Sequence, residues 1–442
     1  MRPTAVPHIG SSRSPHRRGL GPAVAGAAAL ALLACGCSAG TRTTGSGAVS
    51  GASTSSDVRI AITPSGASDA APNRGLTVRA TGGRITSVVV HTAGDPVSGT
   101  LSDEGTVWHS RWALDVAQSY TVIATAADPS GARVTETRSF RTLAPKRTFS
   151  AEIIEGDGQS YGVGMPIIVY LTQPVADRAA VERALQVSSS RPVVGAWFWD
   201  EECRTAPVCL YFRPRHYWPA HTVVHFTGHL NGVEASPGVY GTHTLTQTFR
   251  IGEPLMVVAD TADHYMNVIR NGKLFAHWPI STGRPGDETP DGSYLTIEKA
   301  NPVDMVGPGY NIEVPWSVRF TWSGDYLHDA FWSVGEQGFT NVSHGCVNMS
   351  PADAEIFYKM ADPGDPVKVV GSPKAGTWDN GWTMWFLTWK QWVHGSALHE
   401  AVLAGPHGST PVGASASVRP GAKGRPTRPR TQREAPPGSV SL

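Results

Sequence analysis

Between Asp57 and Gly252 the chain runs in short segments that alternate apolar and polar residues. Examples are DVRIAITPSGA from Asp57, GLTVRA from Gly75, ITSVVVHT from Ile85 and SYTVIATAADPSGARVTETRSFRT from Ser119. Gly, Pro, Asp and Asn punctuate them. A period of two residues exposes one face of a strand to water and buries the other, so repeated short runs of this kind predict antiparallel β-sandwiches rather than helices. An internal echo predicts two of them. Thr135-x-Thr137-x-x-Phe140-Arg141-x-x-x-Pro145 recurs as Thr244-x-Thr246-x-x-Phe249-Arg250-x-x-x-Pro254, each time where a last strand would lead into a Pro-marked linker. The expected boundaries are therefore 57–145 for a first sandwich module and 146–252 for a second, with the fold class mainly β. Modules of this type usually serve as spacers, and neither contains a convergent set of titratable groups.

The N-terminus reads as an address. Arg2, Arg13, Arg17 and Arg18 precede the apolar run GPAVAGAAALALLAC, which is too short for a comfortable membrane span and suits a secretory signal over 1–35. Residues 36–56, rich in Gly, Ser and Thr, predict a flexible tether. The tail from 401 to 442 carries Arg419, Lys423, Arg425, Arg428, Arg430 and Arg433 among Pro, Gly and Ser, which predicts disorder. A weak hold on anionic wall polymers is its functional alternative. The formal net charge of +1 over 442 residues gives no electrostatic reason to expect a nucleic-acid partner.

The chain has 5 cysteines. Cys35 and Cys37 lie at the end of the apolar run. Cys203 and Cys209 sit close together in DEECRTAPVCLYF, and in an exported protein a local disulfide is the expected reading. Cys346 is then left alone in Ser343-His344-Gly345-Cys346-Val347-Asn348. A buried structural thiol would have apolar neighbours, whereas these are polar or flexible. Nucleophilic catalysis needs a thiol, a base and something to orient that base. His328 follows a strand-like segment, and fourteen residues separate it from Ser343, enough for a loop back to one site. The amides around Gly345 and Cys346 are candidate oxyanion donors.

Read whole, the string His328, a spacer of fourteen residues, then Ser343-His344-Gly345-Cys346-Val347-Asn348 resembles the signature of L,D-transpeptidases with a YkuD-type catalytic domain. The resemblance extends over 253–371, including PLMVVADTADHYMNVIRNGKLFAHWPISTG and the TPDGSY turn at Thr289, and it implies that the upstream sandwiches 57–145 and 146–252 are immunoglobulin-like domains. Downstream, TWDNGWTMWFLTWKQWVHGSAL resembles a small Trp-rich C-terminal extension over 372–400 that packs against the catalytic domain. Leu32-Leu33-Ala34-Cys35 resembles a lipobox, in which Cys35 would carry lipid and tether an exported enzyme to the outer face of the cell membrane.

The family resemblance implies roles for particular residues. Cys346 would attack the carbonyl between the third residue of a peptidoglycan tetrapeptide stem and its terminal D-Ala. His328 would move the proton, oriented by the main-chain carbonyl of Asp329. The side-chain amine of a diamino acid in a second stem would resolve the thioester into a 3→3 cross-link. His344 and Asn348 would shape the pocket, Ser343 and Gly345 would fix the nucleophile's backbone, and Tyr310 and Trp332 would meet the stem peptide. Carbapenem β-lactams would acylate the same thiol. No cofactor and no metal are implied, and a monomer is the default. Trp322 stands where relatives often carry Tyr, which alters any hydroxyl contribution to the oxyanion site.

A zinc site from His328, His344 and Cys346 is the chemical competitor, but no further ligand lies at metal-binding spacing. The alternative from another class is a wall-associated binding or spacer lipoprotein with an inactive catalytic domain. The intact motif speaks against it.

Overall fold

The computed structural model describes residues 57–307 and 310–412. The expected signal, the tether, Cys35, Cys37 and the basic tail beyond 412 lie outside the described residues. The fold is mainly β. In the first module one sheet orders the strands Arg59–Thr63, Thr77–Thr81, Val107–Ser110 and Gly99–Leu101, and a second places Ser119–Ala127 between Arg84–His91 and Arg133–Arg141. Along Ser119–Ala127 every second residue is interior: Tyr120, Val122, Ala124 and Ala126 form the sandwich core with Val78, Leu76 and Leu114. Alternation in sequence is here alternation in burial.

The second module is built around Val208–Pro214, the only strand of its length in which every residue is buried among the described residues. Leu210 and Phe212 face the module's own core with Trp197, Phe226 and Phe249. Cys209 and Tyr211 face the other way, into a cluster with Trp382, Met384 and Trp392 from the C-terminal extension. A sheet covered on both faces demands a nearly continuous apolar strand. Both copies of the echo fall on closing strands, Arg133–Arg141 and Leu245–Ile251, with Phe140 and Phe249 turned inward. Cys203 and Cys209 are joined by a disulfide, their Cα atoms 5.5 Å apart.

Two features depart from the sequence reading. The expected disorder from 401 begins too early: Val402–Gly405 and Gly408–Pro411 form a hairpin that adds to the edge of the second module's sheet, with Val193 opposite Ala404. Edge pairing satisfies the backbone, and a single interior side chain, Ala404, suffices to seat it. The Trp-rich extension also reaches further than the catalytic domain. Trp392 is fully buried, stacks on Phe198 at 4.8 Å and donates from Nε1 to the Ala196 carbonyl at 2.9 Å. The guanidinium of Arg213 lies between the rings of Trp385 at 4.4 Å and Trp392 at 4.6 Å and donates to the Leu387 carbonyl at 2.9 Å. Burial lowers its pKa to about 10, so it keeps its charge at neutral pH, met by aromatic faces and carbonyls instead of a carboxylate.

From Leu255 onward two sheets enclose a third core. One runs Lys273–Pro279, Tyr265–Arg270, Leu255–Asp260, Pro366–Val370, Gly292–Leu295, and the other Glu298–Ala300, Ser317–Arg319, Tyr326–Asp329, Val347–Met349. Val257, Val268, Phe320, Leu327, Val347 and Phe357 fill the space between them. The helix Pro351–Met360 starts immediately after the last strand. Ser350 caps it by accepting from the Asp353 amide, and Pro351 takes the first-turn position that needs no amide donor.

Truncating Trp392 to Ala removes both a core ring and a buried hydrogen bond. We expect a loss of about 3–5 kcal/mol in denaturant unfolding of the full chain; a loss below about 1 kcal/mol would show that the extension is not part of the core.

Candidate active site

The strands Tyr326–Asp329 and Val347–Met349 run parallel, with Leu327 opposite Val347, His328 opposite Asn348 and Asp329 opposite Met349. Strand periodicity then sorts the side chains. Leu327, Val347 and Met349 enter the core, so Tyr326, His328, Cys346 and Asn348 share the opposite face. A parallel pair needs a long crossover rather than a tight turn. The residues between Asp329 and Cys346 make that crossover, through the short 3-10 turn Phe331–Ser333. The spacer of the motif is thus the connection that sets base and nucleophile side by side on one surface.

His328 is buried, and its Nδ1 lies 2.7 Å from the Asp329 carbonyl oxygen. A carbonyl only accepts, so the proton sits on Nδ1 and the lone pair on Nε2. Burial is the main influence on the ring and lowers its pKa to about 4, against the opposing pull of that hydrogen bond. The imidazole is therefore a neutral base at neutral pH. Asp329 takes part through its main chain; its carboxyl group is itself pushed up by burial.

The thiol of Cys346 is flanked by the turn before the base strand: Sγ accepts from the Tyr326 amide at 3.4 Å and lies 3.7 Å from the Gly324 carbonyl oxygen. Burial first, and the charge of Asp325 second, push the thiol up to about 12, with the Tyr326 amide opposing. At rest the pair is thiol and imidazole, not thiolate and imidazolium. A thiol in this state can act as a nucleophile only if its proton is removed as it attacks, and Nε2 carries the lone pair that could take it.

The backbone that presents Cys346 is held at several points. Ser343 Oγ donates to the Cys346 carbonyl at 2.6 Å and accepts from the Gly345 amide at 3.1 Å. Thr289 Oγ1 donates to the Gly345 carbonyl at 2.7 Å. Gly345 has φ +129°, and a Cβ there would stand 2.3 Å from Asp325 Oδ1, so both conformation and space require glycine. The Gly345 amide, a candidate oxyanion donor in the sequence, donates to Ser343 Oγ within its own turn. Of the amides described here, that of Tyr326 is the one directed at the sulfur.

The remaining expected residues spread out. His344 is exposed beside the nucleophile. Asn348 is buried and donates to Ser333 Oγ at 2.9 Å, which ties the crossover turn to the nucleophile strand instead of presenting the amide outward. Trp332 is partly exposed, with its ring 5.9 Å from that of His328 at 30°, so it borders the base. Tyr310 opens the strand Tyr310–Val314, and its side chain lies outside the described residues. Trp322 meets Trp382 edge-on at 6.4 Å, and its carbonyl accepts from Arg319 at 2.9 Å. Its indole thus packs toward the extension. Sequence reasoning missed Thr289 and Asp325. The first lay in the quoted TPDGSY turn, and the second is an acidic residue three positions before the base.

Residues 254–369 match the family described as L,D-transpeptidase catalytic domain, and residues 67–234 match the bacterial Ig domain. L,D-transpeptidase 2 of Mycobacterium tuberculosis (strain CDC 1551 / Oshkosh) is 33% identical over 337 residues, spanning 73% of this chain and 80% of that protein. L,D-transpeptidase 5 of Mycobacterium tuberculosis (strain ATCC 25618 / H37Rv) is 34% identical over 342 residues, 75% of each. A solved L,D-transpeptidase structure in complex with imipenem is 34% identical, covers 51% of this chain and 100% of its own, and has a TM-score of 0.43.

The neutral, buried His328 makes a prediction about acid stability. Its folded pKa of about 4 lies below the ordinary value of 6.5, so between these pH values the unfolded chain takes up a proton that the folded chain refuses. That contribution to stability is present above pH 6.5 and lost as pH falls toward 4. Replacing His328 with Asn should reduce the loss between pH 7 and 4.5 by about 2–3 kcal/mol relative to the parent chain, read by denaturant titration. Equal losses would contradict a buried neutral ring.

Proposed function

The chain belongs to the L,D-transpeptidase family, and from that membership we propose that it forms 3→3 cross-links between peptidoglycan stem peptides through a thioester on Cys346. The observation that carries this reading is the neutral His328, fixed at Nδ1 by the Asp329 carbonyl, on the same strand face as the thiol. Nε2 takes the thiol proton as Sγ attacks the carbonyl between the third stem residue and terminal D-Ala. The proton is then delivered to the departing amine, D-Ala leaves and the thioester remains. The side-chain amine of the third residue of a second stem attacks that thioester, gives up a proton and regenerates the thiol. The sequence assigns this work to the outer face of the cell membrane, with Cys35 as the lipid-bearing residue.

Incubation of the full chain with purified disaccharide tetrapeptide, followed by mass spectrometry, tests the reading. Dimers lacking one D-Ala are expected, absent with Cys346→Ala and slowed about 10²–10⁴-fold with His328→Ala. Tripeptide without dimers would assign hydrolysis instead, and no Cys346-dependent product would favour the wall-associated spacer.

The same thiol attacks a strained lactam carbonyl. Incubation with a carbapenem should raise the intact mass by one lactam and place it on the Cys346 peptide; an unchanged mass would contradict a reactive site.

A further inference from the structure

The proposed reaction asks two things of Cys346: that its sulfur be held for attack, and that it keep its proton until His328 removes it. The turn before the base strand grips the sulfur from both sides, with the Gly324 carbonyl at 3.7 Å and the Tyr326 amide at 3.4 Å. Asp325 is the residue between those two contacts, and it is 8% exposed. Its Oδ2 accepts from Thr321 Oγ1 at 2.6 Å and from Ser323 Oγ at 2.9 Å, while Thr321 Oγ1 accepts from the Asp325 amide at 2.8 Å. Its Oδ1 occupies the space that a side chain at Gly345 would need.

The turn is braced from outside as well. Asn380, in the Trp-rich extension, accepts from the Ser323 amide at 2.8 Å and donates to Ser323 Oγ at 2.9 Å. Two hydroxyls, those of Thr321 and Ser323, donate to the Asp325 carboxylate. Arg319, at the end of the strand that leads into the turn, donates to Glu298 Oε1 and to the Thr321 and Trp322 carbonyls.

We propose that Asp325 is a positioning residue for the nucleophile: its buried carboxylate ties the Thr321–Tyr326 turn that grips Sγ and stands beside the resting thiol. A carboxylate held by two hydroxyls, close to a sulfur in a poorly hydrated site, disfavours negative charge on that sulfur. Its charge is the second cause, after burial, of the raised thiol pKa. The other titratable groups around the pair are few. Tyr326 is influenced by Arg319, Glu298 and Cys346, Tyr294 by Asp325 and Asp291, His328 is neutral and His344 is exposed. Thiolate is the form attacked by oxidants and stray electrophiles. A charge-suppressed thiol survives an oxidising compartment, and ionisation is confined to encounters in which His328 accepts the proton.

The inference rests on Cys346 being the nucleophile of the proposed reaction, but its test needs no wall substrate. The rate of Cys346 alkylation by iodoacetamide is followed from pH 6 to 10 in the full chain. Peptide mapping separates Cys346 from Cys35, Cys37 and the Cys203–Cys209 disulfide. Asp325→Asn keeps a hydrogen-bond acceptor in the turn and removes the charge, so its profile should move to lower pH by about one unit, a rate about tenfold higher at pH 8. Asp325→Ser gives the same shift if the amide is not tolerated. A folded variant with the parent profile, or a slower rate at pH 8, would overturn the proposal even if cross-linking were established. A shifted profile without cross-linked product would sustain it while the reading of the reaction failed.

Discussion

A parallel pair of short strands is held by backbone hydrogen bonds yet cannot be closed by a hairpin, so it exists only if the chain leaves and returns. In this protein that constraint organises the catalytic half. Tyr326–Asp329 and Val347–Met349 are seated by Leu327, Val347 and Met349 in the core between two sheets. The crossover returns with its backbone anchored: the Ser343 amide donates to the Thr282 carbonyl, and Asn348 exchanges backbone bonds with Ser281. Each apolar residue on the core side fixes a polar residue on the other face. The positions of His328 and Cys346 are thus consequences of core packing as much as of local chemistry.

The electrostatics follow from the same burial. Removing His328 from water keeps it neutral, and removing Cys346 from water keeps it protonated. One desolvated environment gives the base its lone pair and denies the nucleophile its charge. In the proposed reaction a proton moves from the thiol to the ring, and the Nδ1 bond to the Asp329 carbonyl leaves Nε2 as the nitrogen open to receive it. The Trp-rich extension links this environment to the rest of the molecule. Asn380 braces the turn at Ser323, Trp382 meets Trp322, and the Trp392–Arg213 packing anchors the same segment to the second module. The module that reads as a spacer therefore shares a core with the element that supports the nucleophile turn.

Much of this was legible from residues alone. Alternation along Ser119–Ala127 and the twin Phe140 and Phe249 segments marked sandwich strands, because water on one face and a core on the other impose period two. The motif marked His328 and Cys346 as neighbours, because its spacing is that of the crossover. The hairpin at Val402–Pro411 was hidden because only Ala404 of it is interior, which leaves no periodic signal. Asp325, Thr289 and Asn380 were hidden for another reason: each acts through a contact distant in sequence, Asn380 reaching Ser323 from 57 positions away. The local bond from the Gly345 amide to Ser343 Oγ was not legible either, since it depends on the shape of the turn.

The claim at the centre of this account is that Cys346 itself carries the acyl group. Mixing the full chain with disaccharide tetrapeptide, quenching in acid within the first turnovers and mapping peptides by mass spectrometry tests it directly. The account predicts an increment equal to the donor minus D-Ala on the Cys346 peptide, removed by hydroxylamine as a thioester is. An adduct on another residue, or cross-linked product formed while the Cys346 peptide stays unmodified at every quench time, would contradict it.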